Sequence, residues 1–197
     1  MKVARAYRQG ARAEAAAETR ERILDAAFAL FFEHDYEDIT LERVAGAAGV
    51  TLQTVLRKFG SKEGLAGAVM EERGQRVIEA RRPVSPDAPS AVAALVASYE
   101  QIGDANWRML RQEHQQPMVQ QALARARALH RGWIEASFAA ELPARGAARE
   151  RMVDALFTAL DFYVWKLNRR DLGKSREETE ALMLGLVEAI VKTRRAR

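Results

Sequence analysis

The sequence predicts an all-α chain in two parts, on three observations. Apolar residues recur three and four positions apart through most of its 197 residues. A short hairpin pattern centred on a glycine lies between positions 39 and 59. Finally, Pro83-Val84-Ser85-Pro86-Asp87-Ala88-Pro89 interrupts the helical pattern with three prolines, which cannot continue a helix and stiffen a connection. Hydrophobic residues make up 48% of the chain, enough for a sizeable core. The formal charge of +4 permits a nucleic-acid partner without requiring one. Without cysteine, disulfides and thiolate metal sites are excluded. The longest apolar runs, Ala26 to Phe32 and Ala91 to Ala97, are too short to cross a bilayer. The N-terminus is basic but has no apolar signal core, so a cytoplasmic protein is expected.

Residues 1–17 carry Lys2, Arg5, Arg8 and Arg12 ahead of the first acid, Glu14. Two readings stand: a solvated tail, or a basic arm that orders on DNA phosphates or in a minor groove. A first helix is expected over 18–34, with Ile23, Leu24, Ala27, Phe28 and Phe31 as its buried stripe. Arg20 and Arg22 near its start could touch phosphate.

The hairpin follows. Thr40 can cap its first helix, whose apolar side is Val44 and Ala48, and Ala45 is small enough for close approach. Gly49 stands where the chain turns and a left-handed backbone is needed. Thr51 caps the second helix, and Val55 with Phe59 gives that helix one buried face. Leu52, Gln53, Thr54, Arg57 and Lys58 then share the outward face, a polar and basic strip that suits a groove of DNA. Gln53 can pair bidentately with adenine and Leu52 can pack a thymine methyl. Thr51 and Thr54 offer hydroxyls, while Arg57 and Lys58 suit phosphates. Ser61 caps the next helix, expected to about residue 82, with Lys62 in its first turn where a phosphate could meet it.

After the prolines, helices are expected over 90–102, 106–116, 118–142 and 145–171, the last with apolar residues on two faces. Ser175-x-x-Glu178 is a capping box that opens a final helix over 176–194.

Taken together, Arg20 to Phe32, Thr40, Val44-Ala45, Ala48-Gly49-Val50, Thr54-Val55, Phe59 and Ser61-Lys62-Glu63-Gly64-Leu65 resemble the DNA-binding domain of the tetracycline-repressor (TetR) family. The strong match covers roughly the first third of the chain. Leu56 and Lys58 depart from it, standing where many members place a phosphate-holding tyrosine and a histidine or tyrosine. Lys58 could replace that contact as a point charge.

The resemblance implies an N-terminal three-helix DNA-binding domain with a helix-turn-helix (18–82), joined to a larger helical ligand-binding and dimerisation domain (90–197). It implies a double-stranded DNA operator as partner, contacted by Thr40, Thr51, Leu52, Gln53, Thr54, Arg57, Lys58 and Lys62. It also implies a homodimer through the helices near 146–170 and 176–194. A small apolar or aromatic effector would be held in a cavity for which Tyr99, Trp107, His114, Trp133, Phe157 and Phe162 are candidates. Asn106, Glu113 and His130 are polar candidates beside them, and Asp161 is expected to pair with an arginine in the core or dimer seam. No catalytic motif, cofactor site or metal site is expected. The function read here is a dimeric repressor released by its ligand. The rivals are a DNA-binding dimer without an effector, and a helical ligand-binding protein or enzyme with a vestigial reading head.

Overall fold

A computed structural model describes residues 2–195, with side chains from 10 to 193. Nine α-helices make up the described chain, with a 3-10 turn (Tyr36–Asp38) and a π turn (Leu167–Asp171) as its other helical elements. The first helix, α1, runs Lys2–Glu33 rather than starting at 18, so the alanine-rich segment extends it without an apolar stripe of its own. The described side chains of that extension, from 10 to 18, are exposed. Lys2, Arg5 and Arg8, on which the arm reading rests, lie outside the described side chains.

The N-terminal head is α1 with α2 (Leu41–Ala48), α3 (Leu52–Phe59) and α4 (Lys62–Ala80). Thr40, Thr51 and Ser61 accept the N–H groups of Arg43, Thr54 and Gly64, so each of these helices starts on a side-chain cap. Gly49 is left-handed (φ 64°), and Val50 N–H returns to the Ala45 carbonyl at 2.9 Å, closing the turn between α2 and α3. Ile23, Leu24, Ile39, Val44, Val55 and Leu65 form the fully buried centre of this head. The guanidinium of Arg73, also buried, locks α4 to α1 through Asp25 (2.8 Å) and Glu21 (3.0 Å).

Beyond the proline segment lie α5 (Ala88–Gln112), α6 (Pro117–Ser137), α7 (Ala147–Ala159), α8 (Phe162–Lys166) and α9 (Arg176–Arg195). Asp87 caps α5, accepting the Ser90 N–H at 2.7 Å. Three expectations change here. α5 is one helix where two were expected, because Gly103 is not a break: it lets the Trp165 ring lie against the helix backbone. α6 stops at Ser137, and the chain turns through Phe138–Leu142 before Pro143. The helix expected over 145–171 is broken at Leu160–Asp161, where Asp161 turns extended (ψ 150°) and its carboxylate caps α8. The capping box at the start of α9 forms as expected, with both Ser175–Glu178 hydrogen bonds present.

Leu95, Val96, Ile134, Leu156, Leu160, Trp165 and Met183 are completely buried at the centre of this body. Head and body meet where α1 and α4 lie against α5 and α6. The side chain of Gln112 crosses that boundary, accepting the Tyr36 N–H (3.0 Å) and donating to Asp35 Oδ1 (3.1 Å). Arg108 donates to the Phe32 carbonyl at 2.6 Å. No described helix is long and apolar enough to cross a membrane.

Candidate nucleic-acid interface and cavity

α3 is amphipathic over two turns. Val55 is completely buried against the head's core, which fixes the rotation of the helix. Gln53 and Arg57, one turn apart, are fully on the solvent side, and Leu52 is half-buried. Thr51 and Thr54 hydroxyls lie 3.0 Å from each other, so the cap and the first turn present one joined polar edge. Arg57 and Lys58 occupy the last turn, where positive charge is favoured by the helix dipole.

The remaining candidates on this face are placed differently. Lys58 Nζ donates to the Ala16 carbonyl of α1 at 2.8 Å, so its ammonium is partly committed to the scaffold. Thr40 spends its hydroxyl on the α2 cap. Lys62 points away from the strip: its ammonium donates to the Tyr36 carbonyl and lies 4.2 Å from the centre of the Tyr36 ring. Burial there lowers its pKa from the usual lysine range. Arg20 is likewise engaged, paired with Glu72 and stacked on Phe59, whereas Arg22 lies beside the Gly49 turn.

Behind the head, where it joins the body, is a cavity of about 220 Å³. Of the expected lining residues, Tyr99, Phe157 and Phe162 reach it, while Trp107, His114 and Trp133 do not. Trp107 sits on the outer surface of α5, edge-on to Tyr163, with Lys166 Nζ 4.3 Å from its ring centre. His114 is exposed in the turn after α5. Trp133 is buried one layer behind the cavity, stacked on His130 and donating its indole N–H to the Arg81 carbonyl at 3.1 Å. Among the polar candidates, Asn106 and His130 line the cavity, whereas Glu113 does not but is paired with Arg127, which does.

Sequence reasoning missed part of the wall. Phe28, Phe31 and Phe32 of α1 and Met70 and Val77 of α4 close the cavity from the head's side. The available signal was the third phenylalanine, Phe32, which the buried stripe of α1 did not need. Arg81, which the sequence did not single out, also lines the cavity and is 5% exposed.

Asp161 reaches the cavity, and among the described residues of the chain it has no ion-pair partner, so the expected pairing with an arginine of the core is absent. Its carboxylate accepts the Tyr163 N–H at 2.8 Å at the start of α8. Burial raises its pKa, against the pull of that N–H and the charge of Arg127. Burial also pushes the pKa of His130 down to about 3, with the neighbouring charge of Arg81 acting in the same direction. Tyr99 is fully buried, its hydroxyl donating to the Leu160 carbonyl at 3.1 Å and its pKa raised by burial.

Tyr163, which also lines the cavity, Leu167, Leu172, Leu182 and Leu186 are between 44% and 60% exposed. They belong to α8, the π turn and its exit, and α9. α8 and the π turn both pack against α9, so these exposed apolar side chains stand on neighbouring elements.

Residues 23–69 match the family model for bacterial regulatory proteins of the tetR family. The HTH-type transcriptional regulator AlkX of Mycobacterium tuberculosis is 40% identical over 60 residues, a segment that is 30% of this chain and 28% of that protein. A TetR-family transcriptional regulator from Streptomyces coelicolor superposes with a TM-score of 0.70 at 14% identity, over 91% of this chain and 89% of that one. SmeT of Stenotrophomonas maltophilia, solved with triclosan, gives 0.64 at 20% identity over 87% and 90%. A regulator from Saccharomonospora viridis solved with choline gives 0.61 at 15% identity over 87% and 96%. These structures share the fold of this chain from the reading head through the body.

Proposed function

This chain belongs to the TetR family of DNA-binding transcriptional regulators, and from that premise we propose that it is a ligand-released repressor working in the cytoplasm as a homodimer. Two copies of α3 would enter successive major grooves of a palindromic operator, with Gln53 and Leu52 at base edges and Thr51, Thr54, Arg57 and Lys58 nearer the phosphates. Lys62 and Thr40 would act from behind, Lys62 by holding Tyr36 and Thr40 by capping α2. The apolar surface of α8 and α9 would be the seam between subunits, since it is exposed here and a two-fold site needs two heads held about 34 Å apart.

The observation that carries the regulatory part is the composition of the cavity wall. α1 and α4 of the head contribute side chains to the same cavity as α5, α6 and Phe162 of the body. A ligand seated there touches both parts at once, so its affinity depends on how they are disposed. It shifts the population between DNA-competent and splayed dimers by that difference in affinity and by nothing else. The SmeT–triclosan and choline complexes support ligand binding by proteins of this fold.

The test is selection of duplexes from a random pool by the full chain, followed by sedimentation of the complex. Inverted half-sites bound by two chains are expected. A monomer bound with salt-dependent affinity and no sequence preference would overturn the reading.

A further inference from the structure

The polar end of the cavity is unbalanced. Arg81 lines it almost fully buried, yet its hydrogen bonds go to neutral partners, Nε to Ser98 (2.9 Å) and Nη1 to His130 Nδ1 (3.5 Å). Its guanidinium lies 5.1 Å from the centre of the Tyr99 ring. Among the described residues no carboxylate pairs with it, in contrast to the other buried arginine, Arg73, which has two. A buried charge is normally paired.

His130 extends the imbalance. A guanidinium only donates, so Nδ1 of the neutral ring must accept and Nε2 must carry the hydrogen. That Nε2–H is buried with no hydrogen-bond partner, His130 being only 6% exposed. The Leu160 carbonyl, which accepts from Tyr99, also faces His130, but its pull on the ring is too weak to offset burial. The acid in the same wall is the opposite case. Asp161 accepts a backbone N–H at 2.8 Å and has the charge of Arg127 in the same wall, which offset its burial in part, whereas Arg81 has no opposite charge beside it among the described residues.

We infer that the cavity is built for an apolar acid, whose carboxylate is held by the guanidinium of Arg81 while His130 Nε2–H serves as a second donor to its polar end. The apolar body lies along Phe28, Phe32, Met109 and Leu129. At about 220 Å³ the cavity is small, under the roughly 300–1,000 Å³ usual for drug-sized ligands. A medium-length alkyl chain or a single substituted ring therefore suits it. The inference rests on the ligand-site reading above and names its chemistry.

Three probes of similar length and different head charge decide it by calorimetry and thermal shift on the full chain: octanoate, 1-octanol and octyltrimethylammonium. Octanoate should bind about tenfold or more tighter than 1-octanol, as a charge-assisted hydrogen bond to a buried donor would give, and the cation weakest. Arg81→Gln should bring octanoate down to the level of 1-octanol and leave 1-octanol unchanged. If that variant fails to fold, the ranking in the wild-type chain decides alone. Equal affinity for octanoate and 1-octanol, tightest binding of the cation, no binding by any of the three, or an octanoate preference that survives in Arg81→Gln would overturn the inference. Adding operator DNA separates the two claims. Octanoate that binds without weakening DNA affinity leaves the acid site standing and removes its role as effector. A cation that releases DNA does the reverse.

Discussion

The side-chain amide of Gln112, at the end of α5, accepts the backbone N–H of Tyr36 in the turn that follows α1, at 3.0 Å. Tyr36 in turn receives the ammonium of Lys62 at the start of α4. One body residue thus holds the segment from which two of the head's helices are hung.

Gln112→Ala should therefore loosen head from body. It leaves a part-buried N–H without its acceptor, at a cost of about 1–2 kcal/mol. Urea unfolding monitored by tryptophan fluorescence should show that loss. An unchanged midpoint would mean that water replaces the amide and that the contact carries no coupling.

Gly103→Ala should lower the melting temperature. A Cβ there would stand 2.2 Å from Trp165 Cη2, and the Trp165 ring is completely buried and tied to Glu100 by its indole N–H at 2.9 Å. Overpacking of this kind costs about 1–3 kcal/mol. A calorimetric scan that superposes on the wild type would show that the ring can retreat.

His130 predicts a pH dependence. Its folded pKa is about 3 against an ordinary value of 6.5, so the unfolded chain binds the extra proton. Its contribution to stability is present above pH 6.5 and is lost as pH falls from there toward 3. Relative to His130→Leu, the wild type should lose about 2 kcal/mol between pH 7 and pH 5. Parallel stability curves for the two proteins over that range would contradict this.

Arg57 and Lys62 should separate in their response to salt. Arg57 is free on the α3 surface, so Arg57→Ala should reduce the slope of log K against log salt by about one per subunit. Lys62→Ala should leave the slope alone and lower stability instead, because its ammonium already serves Tyr36. Equal effects on the slope would place Lys62 at a phosphate after all.

What the sequence made legible was local. Thr40, Thr51, Ser61 and the Ser175–Glu178 pair declare helix starts within four residues of themselves, and each cap is present. The buried rotation of α2 and α3 follows from Val44, Ala48 and Val55 for the same reason. What stayed hidden depends on residues far apart in the chain. The helices expected over 90–102 and 106–116 are one, joined through Gly103, whose partner Trp165 comes from another helix and could not be read locally. Trp107, His114 and Trp133 have the side chains a ligand would use, but residue type does not say which side of a helix faces the cavity, and theirs do not. Asp161 looked like a buried acid in search of an arginine. It is a cap, and among the described residues the buried arginine without an acid is Arg81.

Replacing Gln53 isolates base reading by α3, because its side chain is exposed on α3 with no hydrogen bond to the described residues to lose. Duplex preferences of wild type and Gln53→Ala should be compared at one fixed salt concentration. Gln53→Ala should show relaxed selectivity at one base pair in each half-site, a loss of about 1–3 kcal/mol on the preferred sequence, and an unchanged salt slope. Identical sequence preferences for the two proteins, on a duplex that both bind, would show that α3 does not read the bases.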